Sequence, residues 1–157
     1  QTGHLVFSTL HTNDATMALT RLSQMGVSAY NVAASVSLII AQRLVRQLCT
    51  CKQEVRLDEM LLQSAGMTAV QAAQTDWQAY APTGCPHCHG TGYTGRTGVF
   101  QVVPISSAMQ SLIAQNASAQ ALSAQAEQEG HLNLRQAGLL KVMAGMSSLE
   151  EVMSVTL

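Results

Sequence analysis

The sequence predicts an α/β fold, and three observations carry that prediction. An apolar run rich in β-formers, Leu5 to Leu10, leads straight into residues that cap helices. Two further β-prone stretches, "SLIIAQRLVRQLC" and "GRTGVFQVVPI", are separated by a cysteine-flanked segment. The last third of the chain reads as helix after helix. With 47% apolar and only 11% charged residues in 157, the chain has material for one buried core, or one core with a small insert. Aromatics are scarce at 4%, and eight Met beside abundant Ala point to helices packed through small and flexible side chains.

Taken in order, Leu5–Leu10 is expected to be a buried strand. Thr12 or Asn13 is the expected cap of the helix that follows, with Asp14 in its first turn. Ala15, Ala18, Leu19, Leu22 and Met25 recur at helical spacing, and Gly26 is a natural stop. A second helix is predicted over Ala29–Val36, then a strand from about Ile39. Residues 49–94 read as an insert with cysteine pairs at its ends and helical stretches ("LDEMLLQSAGM", "TAVQAAQTD") between them. A returning strand closes at Pro104. Helices are predicted over Ser107–Gln115, Ala119–Glu129 and Leu134–Ala144, with a last short helix capped by Ser147 or Ser148 ahead of Glu150 and Glu151.

A net charge of −1 excludes a global field that would draw nucleic acid or an acidic membrane. The longest apolar run, Val36 to Val45, is broken by Ser37, Gln42 and Arg43 and falls well short of the roughly 20 residues that span a bilayer. The chain begins at Gln1 with an apolar segment almost at once, which leads us to expect further sequence upstream.

Cys49, Cys51, Cys85 and Cys88 form a Cys-x-Cys and a Cys-x-x-Cys pair. With no secretory segment in view, close pairs of this kind read as metal ligands before disulfides. Structural zinc takes four deprotonated soft ligands in a tetrahedron, and two pairs joined by a loop supply them. In "CPHCHGTGY", Gly90 and Gly92 allow the tight backbone that aims both thiolates at one ion. Lys52, Arg56 and Arg96 are near enough in sequence to offset the thiolate charge. Two free pairs or a disulfide are the other readings, and His87 or His89 is a substitute ligand.

The stretch "STLHTND" places Thr9, His11 and Thr12 at the end of the first predicted strand. In an open α/β sheet ligands bind beyond the carboxyl ends of strands. A histidine between two hydroxyls there can meet a phosphate or position the water that attacks one; it can equally be a satisfied turn residue. His4, seven residues earlier, falls on the other face of a regular strand. No G-x-x-x-x-G-K-[ST] loop is present, so the sequence has no phosphate cradle of that type.

Three motifs in order resemble one family. "TGHLVFSTLHTNDA" resembles the histidine box of the secretion ATPases that drive type II secretion and type IV pilus assembly. "AQRLVRQLC", a tetracysteine insert and "GYTGRTGVF" are similar to the later half of the assembly-type members, and "GLLKVMAGMSSLEEVMSV" is similar to their C-terminal pattern. The cysteine insert points to an extension or secretion motor, because retraction-type members lack it. The resemblance implies the C-terminal portion of a RecA-like P-loop NTPase core, its sheet incomplete, with a zinc-binding tetracysteine insert and a C-terminal helical bundle. It divides the chain into a core remnant (1–48), the metal-binding insert (49–94), a returning strand (95–104) and a helical subdomain (105–157).

By the same resemblance, the phosphate loop and acidic boxes lie upstream, and the whole protein is a cytoplasmic homo-hexamer on the inner membrane using ATP and Mg. Its partners would be an inner-membrane platform protein and associated cytoplasmic assembly proteins, with no nucleic acid and no membrane insertion. His11 would stand near the γ-phosphate as the catalytic histidine, Thr9 and Thr12 would support it in nucleotide binding, and His4 would be structural. Arg43 and Arg46 receive no role. The Cys49–Cys51 pair is one residue shorter than the family's usual spacing. The isolated chain is expected to be inactive. A different class of reading is a zinc-dependent binding module, since "CPHCHGTGY" fits the zinc unit of J-protein chaperones; a nucleic-acid ribbon would need a basic, aromatic face that this composition does not offer.

Overall fold

A computed structural model describes residues 3–12, 14–67, 73 and 78–156. The chain divides into two compact units, residues 1–41 with 101–133, and residues 42–100 with 134–157. The division falls inside two long strands, so each strand contributes to both units.

The first unit is built on helices α1 (Ala15–Gln24), α2 (Ala29–Ser35), α4 (Ser107–Ala114) and α5 (Ala119–Gln128). Each start is chemically specified. Asp14, Ser28, Ser106 and Ser118 have extended backbone, and their side chains accept from an N–H of the first turn. Such a cap is worth about 1 kcal/mol. The apolar stripes then meet: α2 packs on α4, α4 on α5, α5 on α1 and α1 on α2. Ala15, Ala18 and Leu19, Val32 and Ala33, Met109 and Ile113, and Leu122 and Ala126 are buried there. Three of the four buried residues of α1, Ala15, Thr16 and Ala18, are small.

The second unit contains most of the paired strands β1 (Leu38–Leu48) and β4 (Tyr93–Pro104), a small antiparallel ladder of β2 (Gln53–Val55) with β3 (Ala79–Ala81), and helices α3 (Glu59–Ser64), α6 (Leu134–Met143) and α7 (Leu149–Val155). In the small ladder Gln53 faces Ala81, Glu54 faces Tyr80 and Val55 faces Ala79. Strand residues alternate between faces, which buries Val45 from β1 and Val99 from β4. Helix α6 packs on α7 and on β3, burying Leu139, Val142 and Val152. The helices expected as one C-terminal subdomain are thus shared out, α4 and α5 to the first unit and α6 and α7 to the second.

Two expectations are corrected. Leu5–Leu10 is not a strand: the segment has no regular structure, and Leu5, Val6 and Phe7 are 80%, 77% and 87% exposed. A strand exists only through its ladder partner, and among the described residues the sheets are β1–β4 and β2–β3 alone. The cap of α1 is Asp14, not Thr12: its Oδ1 accepts from Thr16 N at 2.7 Å and from Thr16 Oγ1 at 2.6 Å. A carboxylate does this better than a hydroxyl, because its charge also complements the helix N-terminus. Asn13, the other expected cap, and nearly all of the helix expected at 68–76 lie outside the described residues. No described helix is long and apolar enough to cross a membrane.

Candidate metal centre and histidine turn

The four cysteines come together from two turns in the second unit. At the first, the end of β1 runs into a tight reversal in which Lys52 N donates to the Cys49 carbonyl at 3.0 Å. This bond folds Cys49-Thr50-Cys51 back on itself, so the shortened spacing still points both thiols to one side. At the second, Pro86–Cys88 forms a single 3-10 turn, closed by Gly90 N to the Cys85 carbonyl at 3.0 Å. Cys49 N donates to the Gly92 carbonyl at 2.9 Å, which fixes one turn against the other.

Glycines make this approach possible. A Cβ on Gly92 would sit 2.4 Å from the Pro82 Cβ, and one on Gly84 would sit 2.6 Å from the Gly90 carbonyl oxygen; their φ values are +77° and +103°. Gly84 was not singled out by the sequence, since only the nearby Gly90 and Gly92 stand inside the motif. Gly90, with φ +79°, has open space around its missing Cβ.

All four Sγ atoms lie within 4.8 Å of one another. The separations are 3.9 Å for Cys49–Cys85, 3.9 Å for Cys51–Cys88 and 3.7 Å for Cys85–Cys88. Four sulfurs at 2.3 Å from a zinc ion form a tetrahedron with edges of roughly 3.8 Å. The donor set therefore fits zinc in both chemistry and dimensions. His87 and His89 are exposed and stand outside the cluster.

The protein also prepares the thiolates. Burial pushes the Cys88 thiol up, but the N–H groups of Cys85 and Gly92, 3.1 and 3.2 Å from its Sγ, help bring it down to about 6. The Thr83 hydroxyl is foremost in lowering Cys51. For Cys85 the backbone N–H of Cys88 pulls down, yet burial and the thiols of Cys51 and Cys88 outweigh it and raise the group to about 11. One neighbour's thiolate thus makes the next proton harder to remove, which is how four thiols crowded together behave until a cation joins them. Lys52 does not serve as that cation: its ammonium donates to the Gly145 carbonyl and lies 4.2 Å from the centre of the Tyr80 ring.

The histidine turn belongs to the first unit. His11 is exposed and Thr12 half-buried, and both line a shallow groove of about 280 Å³ with Met17, Thr20, Arg21 and Gln24. Those last four lie at positions i, i+3, i+4 and i+7 of α1, a single helix face. Thr9, grouped with His11 and Thr12 by the sequence, is exposed and not part of the lining. The Thr12 hydroxyl donates to the Asp14 carbonyl at 3.1 Å and its N–H to the Leu10 carbonyl at 3.1 Å. It can therefore accept from a ligand but has no proton left to donate.

Arg46, left unassigned by the sequence, has a structural partner. Its Nε donates to Glu151 Oε2 at 2.8 Å, its Nη2 to the same oxygen at 2.5 Å, and its backbone N–H to Oε1 at 2.9 Å. The guanidinium lies over Tyr93, 4.1 Å from the ring centre. The Tyr93 hydroxyl pairs with Ser148, the cap of α7, at 2.7 Å, and Ser147 Oγ donates to the Arg46 carbonyl at 2.9 Å. The "SSLEE" run is legible as a helix start; its use as a clamp on β1 needs the third dimension.

The family model described as "Type II/IV secretion system protein" matches residues 1–154. The chain is 46% identical over 157 residues to the type IV pilus assembly ATPase PilB of Acinetobacter baylyi, covering 99% of this chain and 27% of that protein. It is 47% identical to the protein of the same name from Pseudomonas aeruginosa, with the same coverage. The type II secretion system protein E of Pseudomonas aeruginosa is 42% identical over 156 residues, 99% of this chain and 30% of its own length. The chain thus spans between a quarter and a third of the length of these three relatives. With the family match running over nearly every residue and the cysteine cluster and histidine turn in place, this chain belongs to the type II/IV secretion system protein family.

Proposed function

We propose that this chain is the C-terminal part of an ATPase that powers type IV pilus assembly or type II protein secretion. The single observation that carries this reading is the match across residues 1–154, with relatives named as such ATPases at 46% and 47% identity. The whole protein is a homo-hexamer with a RecA-like core, working in the cytoplasm against an inner-membrane platform protein. Its phosphate loop and the acids that hold Mg stand in the upstream sequence. ATP and Mg bind there, and the His11 turn completes the nucleotide site.

His11 is the catalytic residue of this segment, placed to meet the γ-phosphate or the attacking water, and Thr12 accepts a hydrogen bond beside it. Zinc, held by Cys49, Cys51, Cys85 and Cys88, is structural: four protein ligands leave no position for water. When bound it cross-links the two turns and neutralises the thiolates. The test is turnover by the full-length protein. His11→Ala should lower kcat by about 100-fold, the scale of one lost transition-state contact. A loss under about threefold on that scale would make His11 a turn residue and sink its assignment.

A further inference from the structure

Two side chains from distant parts of the chain close on the first turn of α1, directly after the segment that carries His11. A helix begins with N–H groups that have no partner inside it. Asp14 answers that of Thr16. The N–H of Ala15 is answered from 86 residues away, donating to Oε1 of Gln101 at 3.1 Å. Gln101 lies on the inner face of β4 and is 3% exposed, between Val99 and Val103 at 1% each. An amide is a costly occupant of such a place, where a methionine or leucine would pack as well and need no partner.

The second anchor comes from α5. Thr16 is 1% exposed; its Oγ1 donates to Asp14 Oδ1 and stands 2.9 Å from Ser123 Oγ. From Asp14 the constraint passes back along the chain: the Asp14 carbonyl accepts from Thr12 Oγ1, and Thr12 N donates to the Leu10 carbonyl. The turn holding His11 is therefore bonded to the helix start, and the helix start is bonded to β4 and α5. His11 itself is exposed, with little packing of its own to fix it.

We propose that Gln101 is a positioning residue for His11, holding the helix start from which the histidine turn projects, with Ser123 as a second anchor acting through Thr16. The proposal rests on the reading of His11 as the phosphate-facing group. It predicts a particular dependence: Gln101 matters to turnover only while His11 is present. A group held a fraction of an ångström off its productive position loses much of its effect on the reaction, while ground-state binding by other groups is unchanged.

The test uses the full-length protein that carries this chain, measuring kcat and the KM for ATP. Gln101→Met keeps the length and removes the acceptor; it should lower kcat about tenfold with KM within about twofold, a misplacement effect of modest size. Gln101→Glu restores an acceptor oxygen and should return kcat to within about threefold of the parent, aided by the helix N-terminus. Adding Gln101→Met to His11→Ala should cost nothing further, because a residue acting through another is silent once that other is gone. Unchanged kcat in a folded Gln101→Met protein, or an equal loss in both backgrounds, overturns the proposal. If Gln101→Met fails to fold, Ser123→Ala carries the same comparison of backgrounds, and an equal effect in both is again fatal. A weak His11→Ala effect instead defeats the reading of His11; a strong one with an inert Gln101→Met defeats the positioning role alone.

Discussion

At the scale of single residues, the Arg46–Glu151 contact makes a prediction with a definite pH dependence. Glu151 is 6% exposed, whereas the Arg46 side chain is about half exposed. Hydrogen bonding from Arg46 outweighs the burial penalty and holds the Glu151 carboxyl below its ordinary value of 4.5. A carboxyl lowered on folding contributes stability that is fully present above 4.5 and is lost as pH falls through the lower folded value. Glu151→Gln should therefore destabilise at pH 7 by about 1–2 kcal/mol, the value of a charged hydrogen bond discounted for an arginine that water can reach. At acid pH, below 4.5, the difference from the parent should be smaller than at pH 7. Urea unfolding at the two pH values decides it: an equal difference at both would show that packing, not charge, is what Glu151 supplies.

At the scale of elements, the cysteine knuckle separates two kinds of glycine. Gly92 is needed for space and Gly90 only for backbone conformation. Gly92→Ala must push Pro82 and the Thr83 amide away and so open the second turn, while Gly90→Ala meets only the left-handed penalty of about 1–2 kcal/mol. Zinc competition against a coloured chelator should show a loss of at least about tenfold in affinity for Gly92→Ala, well beyond Gly90→Ala. Equal affinities would mean that the turn is not what arranges the thiolates. Zinc itself should be present at about one equivalent in protein never exposed to chelator, as a closed four-cysteine site binds one ion. Its removal should lower the melting temperature markedly, given apparent binding energies of about 10 kcal/mol or more for structural zinc. A folded preparation with less than about half an equivalent of zinc would contradict the assignment.

This knuckle also shows what sequence can and cannot carry. Caps and cysteine pairs are local, so Ser148 marks the start of its helix, and the four cysteines that cluster are readable from their spacing. β1 and β4 were legible because β-prone residues cluster and Pro104 ends the second of them. Gln101 and the Arg46–Glu151 clamp were not, because each matters through a neighbour tens of residues away, and Gly84 was not, because it matters through a close approach to the Gly90 carbonyl that only the folded turn brings about. Asp14 was placed one position too far inside its helix, since Thr12, Asn13 and Asp14 are all good caps and only geometry chooses among them.

For the whole chain, the misread segment is the most informative. Leu5-Val6-Phe7 has the composition of a buried strand, yet these side chains are largely exposed because no described strand pairs with them. Composition reports what a segment wants, and a ladder requires a second segment to supply it. The same incompleteness applies to the chemistry. The groove beside His11 is lined by threonines, Gln24, Arg21 and Met17 and by no carboxylate, while the Asp14 side chain is committed to Thr16. Among the described residues the groove offers no carboxylate to hold Mg, and the sequence has no phosphate-cradling loop of the G-x-x-x-x-G-K-[ST] kind. Phosphoryl transfer depends on positioning and on neutralising charge over the transferring group; a histidine with one arginine on the same groove supplies neither the metal nor the cradle. The isolated 157-residue chain should therefore release phosphate from ATP at the rate of buffer alone, measured with micromolar protein and Mg present. Turnover by the isolated chain that His11→Ala abolishes would show that the groove is a complete site, and the division of labour proposed for the whole protein would be wrong.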